Sequence, residues 1–367
     1  MQATTPRRRL QLPGWIKANL SLLITVVLLA LLPFVVAIID GQSIPSLLAN
    51  EAGQAKFIQG LMIEVFILAV FALSYDLIFG ITGLLSFGHA MFFAVGAYLT
   101  GIMLKSFNWS LLPTFGLLIL AAVLQALLFS LVLPRVKGVT FALVTLGFAE
   151  VFRIVIQSRE ASQYTGADVG LQGVIPPAFL SPANERLRLY FIALAILVLV
   201  YLLCRRFVDS PTGRVCIATR DNEGRALMLG YNTFYFKLAA LIVSSFFAAL
   251  AGMMHAIYQP IVSPAVAGID FTVQALLMVL VGGIGTLSGA PIGAAVLRLM
   301  TFYFDKWFQE SSGFLMGVVY VALVLFVPYG IVGTWRLRSF KWRQGWQRLL
   351  EALGIGREHN EWSDLAR

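Results

Sequence analysis

The chain has 367 residues, of which 59% are hydrophobic and only 12% charged. A soluble globular chain carries about 25% charged residues, so half of the usual polar coat is missing and much of the surface has to face something other than water. The net charge of +9 would point to nucleic acid in a soluble protein. Here the basic residues gather between apolar runs and at the two ends, with no basic stripe interleaved with aromatics, so nucleic-acid binding is set aside in favour of a bilayer.

The N-terminus, MQATTPRRRL, leads into an apolar run from Leu20 to Ile39. Its length exceeds a signal-peptide core and no A-x-A site follows, so it reads as a retained first span. Further apolar runs lie at 57–79, 83–104, 111–133, 139–157, 189–204, 237–258, 271–287, 289–304 and 314–333, which makes about ten transmembrane helices in an all-α protein. Lys and Arg concentrate in alternate connections, with Arg135, Lys137, Arg205, Arg206, Arg214, Arg220 and Arg225 on one side together with the basic tail. The opposite connections at 40–56 and 105–110 hold one lysine each, and the loop at 158–188 balances three arginines with three acids. Cytoplasmic N- and C-termini follow from this bias. The expected organisation is a basic cytoplasmic N-terminus at 1–19, a transmembrane domain at 20–333 with a cytoplasmic loop at 205–236, and a cytoplasmic tail at 334–367. That tail, with tryptophans at 335, 342 and 346, reads as a short interfacial helix.

The stretch GITGLLSFGHAMFFAVGAYLTGIML, residues 80–104, places five glycines, Ser86 and His89 in an otherwise membrane-like run. Gly80, Gly83 and Gly88 permit a tight or broken entry into a helix. Ala90, Ala94, Ala97 and Gly101 then form a stripe of small residues, which lets helix backbones approach closely in lipid. His89 has two readings: a hydrogen bond to a neighbouring helix, which is favoured, or a position lining the solute route at a helix break. Gly282, Gly283 and Gly285 begin a second glycine-rich stretch, in which Gly285, Gly289 and Gly293 recur every four residues. The pattern Gly80-x-x-Gly83-x-Leu85-Ser86 reappears as Gly282-x-x-Gly285-x-Leu287-Ser288, through an internal repeat or by chance.

No catalytic constellation is visible: there is no H-E-x-x-H, no G-x-S-x-G, and three scattered histidines. No P-loop is present, so any ATPase is a separate chain, and no cofactor is expected here. Cys204 and Cys216 stand twelve positions apart without further metal ligands, and read as free thiols. Among the few charges within spans, Glu150 and Arg153 are three apart and share a helix face. They form either a local ion pair or a pathway pair. Asp76 and Arg298 fall near estimated span ends, and Glu64 is shallow enough to reach the interface.

The 205–236 loop contains DNEGRALMLG, in which Asp221 or Asn222 can cap a short helix that stops at Gly230. Such a helix either bridges two spans or docks into a partner that pushes it, and its length and charge favour docking.

At this loop the chain resembles the M-type (LivM-like) permease subunits of bacterial branched-chain amino acid ABC importers. The likeness is carried by YDLIFGITGLLSFGHAMFFAVGAYLTGIML, TLGFAEVFRIVIQ, the stretch from SPTGRVCIATRDNEGRALMLGYN to LAGMMHAIY, VLVGGIGTLSGAPIGAA and FVPYGIVG, from about residue 60 to 335. The resemblance implies the all-helical fold of vitamin-uptake-type ABC importer permeases in the cytoplasmic (inner) membrane. It also implies a heterodimer with a second homologous permease, two cytoplasmic ATP-binding subunits, and an extracytoplasmic solute-binding protein. Arg220, Asp221, Asn222, Glu223, Ala226 and Gly230 would then form the ATPase-coupling segment. The general permease pattern has Glu-Ala-Ala, three variable residues and Gly; this chain keeps Ala226 and Gly230 but has Gly224 and Arg225 where Glu and Ala would stand, with Glu223 one place early. Related permeases carry urea or short amides, which is the alternative for the solute. An ion-coupled secondary transporter is a more distant alternative, because it needs coupling charges that the spans lack.

Overall fold

The computed structural model describes residues 14–48, 50–51, 53–136, 138–327 and 329–335. Its elements in chain order begin with α1 (Gly14–Ile39), α2 (Ile44–Leu48) and α3 (Gln54–Asp76), the last extended by a π-turn at Leu77–Ile81. After them come α4 (Ala90–Lys105), α5 (Leu111–Ser130), α6 (Val139–Gln157) and α7 (Ser162–Thr165). A two-residue strand β1 (Leu171–Gln172) precedes α8 (Arg186–Asp209), α9 (Pro211–Met228) and α10 (Thr233–Tyr258). Strand β2 (Ile261–Val262) is followed by α11 (Ile269–Gly282), α12 (Gly289–Phe308) and α13 (Ser312–Phe326). The strands pair antiparallel, with Leu171 opposite Val262.

The molecule is an all-α bundle, as a bilayer demands of a chain whose backbone groups must be satisfied within each segment. Among the described residues six helical stretches are long and apolar enough to cross a membrane: Leu20–Ile39, Gln54–Ile81, Leu111–Ser130, Val139–Gln157, Arg186–Asp209 and Thr233–Tyr258. Helices α4 and α11 are apolar but only 16 and 14 residues long. Helix α12 carries Arg298, Asp305 and Lys306.

Several expected boundaries move. The run at 83–104 turns helical only at Ala90, and that at 271–287 stops at Gly282. Both shortenings have one cause. Gly83, Gly283 and Gly285 adopt φ of +74°, +119° and +68°, which a continuing right-handed helix excludes. Helix α13 ends at Phe326, and residues 330–335 form a separate helical turn. Helix α8 runs five residues past the expected span, and α9 occupies most of what reads as a loop. Residues 1–13, Lys137 and the tail beyond Trp335, with the tryptophans at 342 and 346, lie outside the described residues.

Helix α3 is the axis of the bundle. It is apolar all round, and 94% of its most hydrophobic stretch is buried, against 11% for α1. It packs on α8, α10, α11 and α12, while α10 packs on α3, α4, α5 and α9. Helices α4 and α10 approach each other closely through glycine. A Cβ on Gly96 would stand 2.1 Å from the Ala249 carbonyl oxygen, and one on Gly252 would stand 2.0 Å from that of Phe93. The small-residue stripe expected on α4 is buried, with Ala90, Ala94 and Ala97 fully covered, yet the tightest contact runs through the neighbouring strip that holds Gly96. Gly293 plays the same part on α12, where a Cβ would sit 1.8 Å from the Met278 carbonyl of α11.

Glu64 on α3 is paired across the bundle. Its Oε2 accepts from both Nε and Nη2 of Arg298 on α12, the former at 2.7 Å, and its Oε1 accepts from Gln259 at 3.1 Å. Their side chains are only about a quarter exposed, and the pair joins α3 to α12. Asp76, by contrast, is completely buried.

Candidate functional site

The two glycine-rich stretches, some 200 positions apart in sequence, meet in the fold at the C-terminal end of α3. Asp76 Oδ1 accepts the Gly285 N–H at 2.7 Å, and Oδ2 accepts the Leu287 N–H at 3.1 Å. The carboxylate thus holds two backbone N–H groups of the turn between α11 and α12 through charge-assisted hydrogen bonds. Gly80, one turn beyond Asp76, lies against the same group: a Cβ there would stand 2.6 Å from the Gly285 nitrogen.

Arg220 of α9 completes the junction. Its Nη1 donates to the Gly80 carbonyl, and its side chain leans on Gly83, where a Cβ would fall 2.7 Å from Arg220 Cγ. A Cβ on Gly285 would fall 3.0 Å from Arg220 Nη1. The guanidinium therefore touches both glycine turns, and only glycines leave room for it. Asp221, exposed beside it, holds Oδ1 3.4 Å from Arg220 Nη2.

The segment between Thr82 and His89 is enclosed from several sides. Tyr75 donates its hydroxyl to the Ser86 carbonyl at 3.2 Å, and a Cβ on Gly88 would stand 2.0 Å from the Thr145 carbonyl of α6. Thr272 of α11 accepts the Ala90 N–H at 3.0 Å, capping the start of α4 from another helix. His89 is fully buried, stacks on Phe71 and lies 2.9 Å from Ser74 through Nε2. Ser74 commits its proton to the Phe71 carbonyl at 2.6 Å, so His89 donates from Nε2 and Nδ1 is left as an acceptor. Neither His89 Nδ1 nor Ser86 Oγ has a hydrogen-bond partner among the described residues. Gly282 and Gly289 touch backbone to backbone, and Gly283 lies against Tyr329 and Gly333.

Helix α9 is bent at Asn222, whose φ of −161° and ψ of 98° interrupt it. The Asn222 side chain accepts the Arg225 N–H at 2.9 Å, the geometry of an N-cap for a second short helix. That helix closes with a Schellman pair: Tyr231 N–H to the Ala226 carbonyl at 3.2 Å and Gly230 N–H to the Leu227 carbonyl at 2.9 Å, with Gly230 at φ +86°. Glu223 accepts from Lys237 at 2.6 Å and from Thr233 at 3.0 Å, which ties the bend to the first turn of α10. Ala226 is buried, but Leu227, Met228, Leu229 and Tyr231 at the tip are exposed, Met228 by 90%.

Glu150 and Arg153 pair at 2.8 Å on α6, with Gln157 as a further acceptor, and each side chain is about one third exposed. They take no part in the junction. Asp76, its central acid, reads in the sequence only as a charge near a span end, although its position four residues before Gly80 in YDLIFG is a signal for a role at the glycine turn. No group of three or more metal-ligating side chains occurs among the described residues.

An all-α bundle in which six of the described helical stretches are long and apolar enough to cross a membrane is consistent with a polytopic membrane permease. The model of the family described as branched-chain amino acid transport system, permease component, matches residues 57–327, and the chain belongs to that family. It is 28% identical over 290 residues to the high-affinity branched-chain amino acid transport system permease protein LivM of Escherichia coli K12, covering 72% of this chain and 67% of that protein. The probable LivM of Methanocaldococcus jannaschii is 27% identical over 180 residues, 44% of this chain and 52% of that protein. LivH of Salmonella typhimurium is 22% identical over 283 residues, 72% of this chain and 91% of that protein. No solved structure matches.

Proposed function

We propose that this chain is the membrane-spanning permease subunit of an ATP-driven importer for branched-chain amino acids, working with a second, homologous permease, two cytoplasmic ATP-binding subunits and an extracytoplasmic solute-binding protein. Family membership supports the class, and the observation that carries the mechanism is the tip of α9. Four exposed apolar side chains, Leu227, Met228, Leu229 and Tyr231, crown an otherwise polar helix. An apolar knob on a polar support fits a cleft on a soluble subunit, since desolvated anchors supply most interface energy.

In this reading the permease has the vitamin-uptake-type fold. The Asp76 end of the bundle faces the cytoplasm, residues 1–19 and 334–367 are cytoplasmic, and residues 20–333 form the membrane domain. ATP binds only to the partner subunits. Displacement of α9 by the ATPase reaches both glycine turns through Arg220 and Asp76, so the segments at 82–89 and 283–288 shift together. His89 and Ser86, whose unpaired acceptor and hydroxyl lie in the first of these segments, are then placed to change partners during the cycle. Glu150 and Arg153 face outward on α6, toward lipid or the second permease.

The experiment is reconstitution of the complete transporter in vesicles, with uptake of leucine, isoleucine, valine and urea measured beside ATP hydrolysis. ATP-dependent uptake of the branched-chain amino acids is expected. Met228→Asp together with Leu229→Asp should abolish solute-stimulated hydrolysis while the two permeases still purify together. Normal coupled transport by that variant rejects the docking assignment, and transport of urea in place of leucine rejects the solute class.

A further inference from the structure

Two cavities lie end to end along one side of the bundle, between α5 and α8 and floored by α10. One of about 610 Å³ is lined by residues that include Ile119, Val123, Arg206 and Phe246. The other, of about 280 Å³, continues it past Leu111 and Phe115. The lining of α5 is thus one residue per turn, Leu111, Phe115, Ile119 and Val123, a single stripe about 18 Å long at 1.5 Å per residue. That exceeds the roughly 15 Å of hydrocarbon in one leaflet. The lining is apolar almost throughout, and its polar members, Arg206 and Ser210, sit together at the end next to α9.

Ser210 is occupied, since its hydroxyl donates to the Phe207 carbonyl and accepts the Gly213 N–H. Arg206 is different. Its neighbour Arg205 pairs with Asp209, whereas Arg206 is exposed and has no hydrogen-bond or ion-pair partner among the described residues. A free guanidinium at the mouth of an apolar channel is complementary to one kind of molecule, a lipid with an anionic head and long chains. Guanidinium binds phosphate through two parallel N–H bonds, and basic pockets between membrane helices on the cytoplasmic side select anionic headgroups.

The structure assigns this groove as a binding site for an anionic phospholipid, its phosphate on Arg206 and its acyl chains laid along α5, α8 and α10. The leaflet, the cytoplasmic one, rests on the orientation proposed above. The site differs from the glycine junction and holds lipid whether or not solute is moving. Its position beside the α8–α9 connection places the headgroup next to the helix that docks the ATPase.

The test uses the assembled transporter, delipidated in detergent, with phosphatidylglycerol or phosphatidylcholine added and bound lipid read by native mass spectrometry. Phosphatidylglycerol is expected to bind in preference. Arg206→Gln should weaken that binding about tenfold, the loss of one charge-assisted contact, and Arg206→Lys should keep the preference. Val243→Trp, which fills the groove, should remove binding of both lipids, and co-purification of the subunits reports that each variant is folded. Equal phosphatidylglycerol binding by the native protein and Arg206→Gln overturns the assignment. So does a cross-link from Val123→Cys to the second permease, which would mean that a protein helix covers the groove. Labelling of Arg206→Cys from outside intact cells overturns the leaflet and the orientation on which it rests. Failure of transport in the vesicle experiment instead rejects the function while leaving the lipid result standing.

Discussion

Asp76 and Gly285, 209 positions apart, are joined by a 2.7 Å hydrogen bond from the glycine N–H to the buried carboxylate. Two chain segments that each abandon helical geometry are locked together there, and Arg220 bonds to the same corner through the Gly80 carbonyl. A buried carboxylate that accepts two backbone N–H groups is a stiff connector, since breaking either bond strands a polar group away from water.

Replacing Asp76 by Asn keeps the shape but turns one acceptor oxygen into a donor. Either the Gly285 or the Leu287 N–H then faces an NH₂ group and loses its partner. The expected cost is about 1–3 kcal/mol, read as a lower unfolding midpoint of the detergent-purified chain. An unchanged midpoint would show that the junction is not a constraint.

The α4–α10 contact makes a prediction that separates packing from propensity. Gly96→Ala puts a methyl 2.1 Å from the Ala249 carbonyl, and overpacking of this kind costs about 1–3 kcal/mol. Gly116→Ala lies within α5 with nothing inside 4 Å of its added methyl. It should stabilise by about 0.5–1 kcal/mol through helix propensity. Parallel thermal unfolding of the two variants checks the opposite signs.

Cys216 on α9 is buried, and its thiol lies 3.4 Å from the Phe236 carbonyl. Burial pushes its pKa from the ordinary 9.0 up to about 11. The folded state therefore favours the neutral thiol. Its contribution to stability is complete below pH 9 and is lost as pH rises from 9.0 toward about 11. Iodoacetamide at pH 8 should leave Cys216 unmodified until denaturant is added. Rapid modification in the folded protein would place α9 away from α10.

The features legible in the sequence were local ones. Hydropathy runs located α1, α3, α5, α6, α8 and α10, because transfer of some 20 apolar residues into lipid depends on little beyond those residues. A helix cap at Asp221 or Asn222 and a stop at Gly230 were legible for the same reason, since caps are made within a few positions, and the structure uses Asn222. The i, i+3 spacing likewise anticipated the contact between Glu150 and Arg153. The starting point of α4 was not legible, because a glycine in a hydrophobic run is compatible with both a close-packed helix and a broken one. Gly83 breaks the chain while Gly96 packs it, and the distinction lies in what stands opposite: Arg220 in one case and Ala249 in the other.

Composition, span pattern and loop charge thus determined by themselves that this protein lives in a bilayer, is helical, and carries one polar segment of unusual length. Tertiary structure alone decided that Asp76 serves Gly285, that Glu64 serves Arg298 across 234 positions, and that Arg206 has no partner among the described residues at the mouth of a groove. The reason is physical. Burial and backbone preference act on each segment where it stands, whereas a buried charge must be matched by whichever group the packing of other helices brings within about 3 Å.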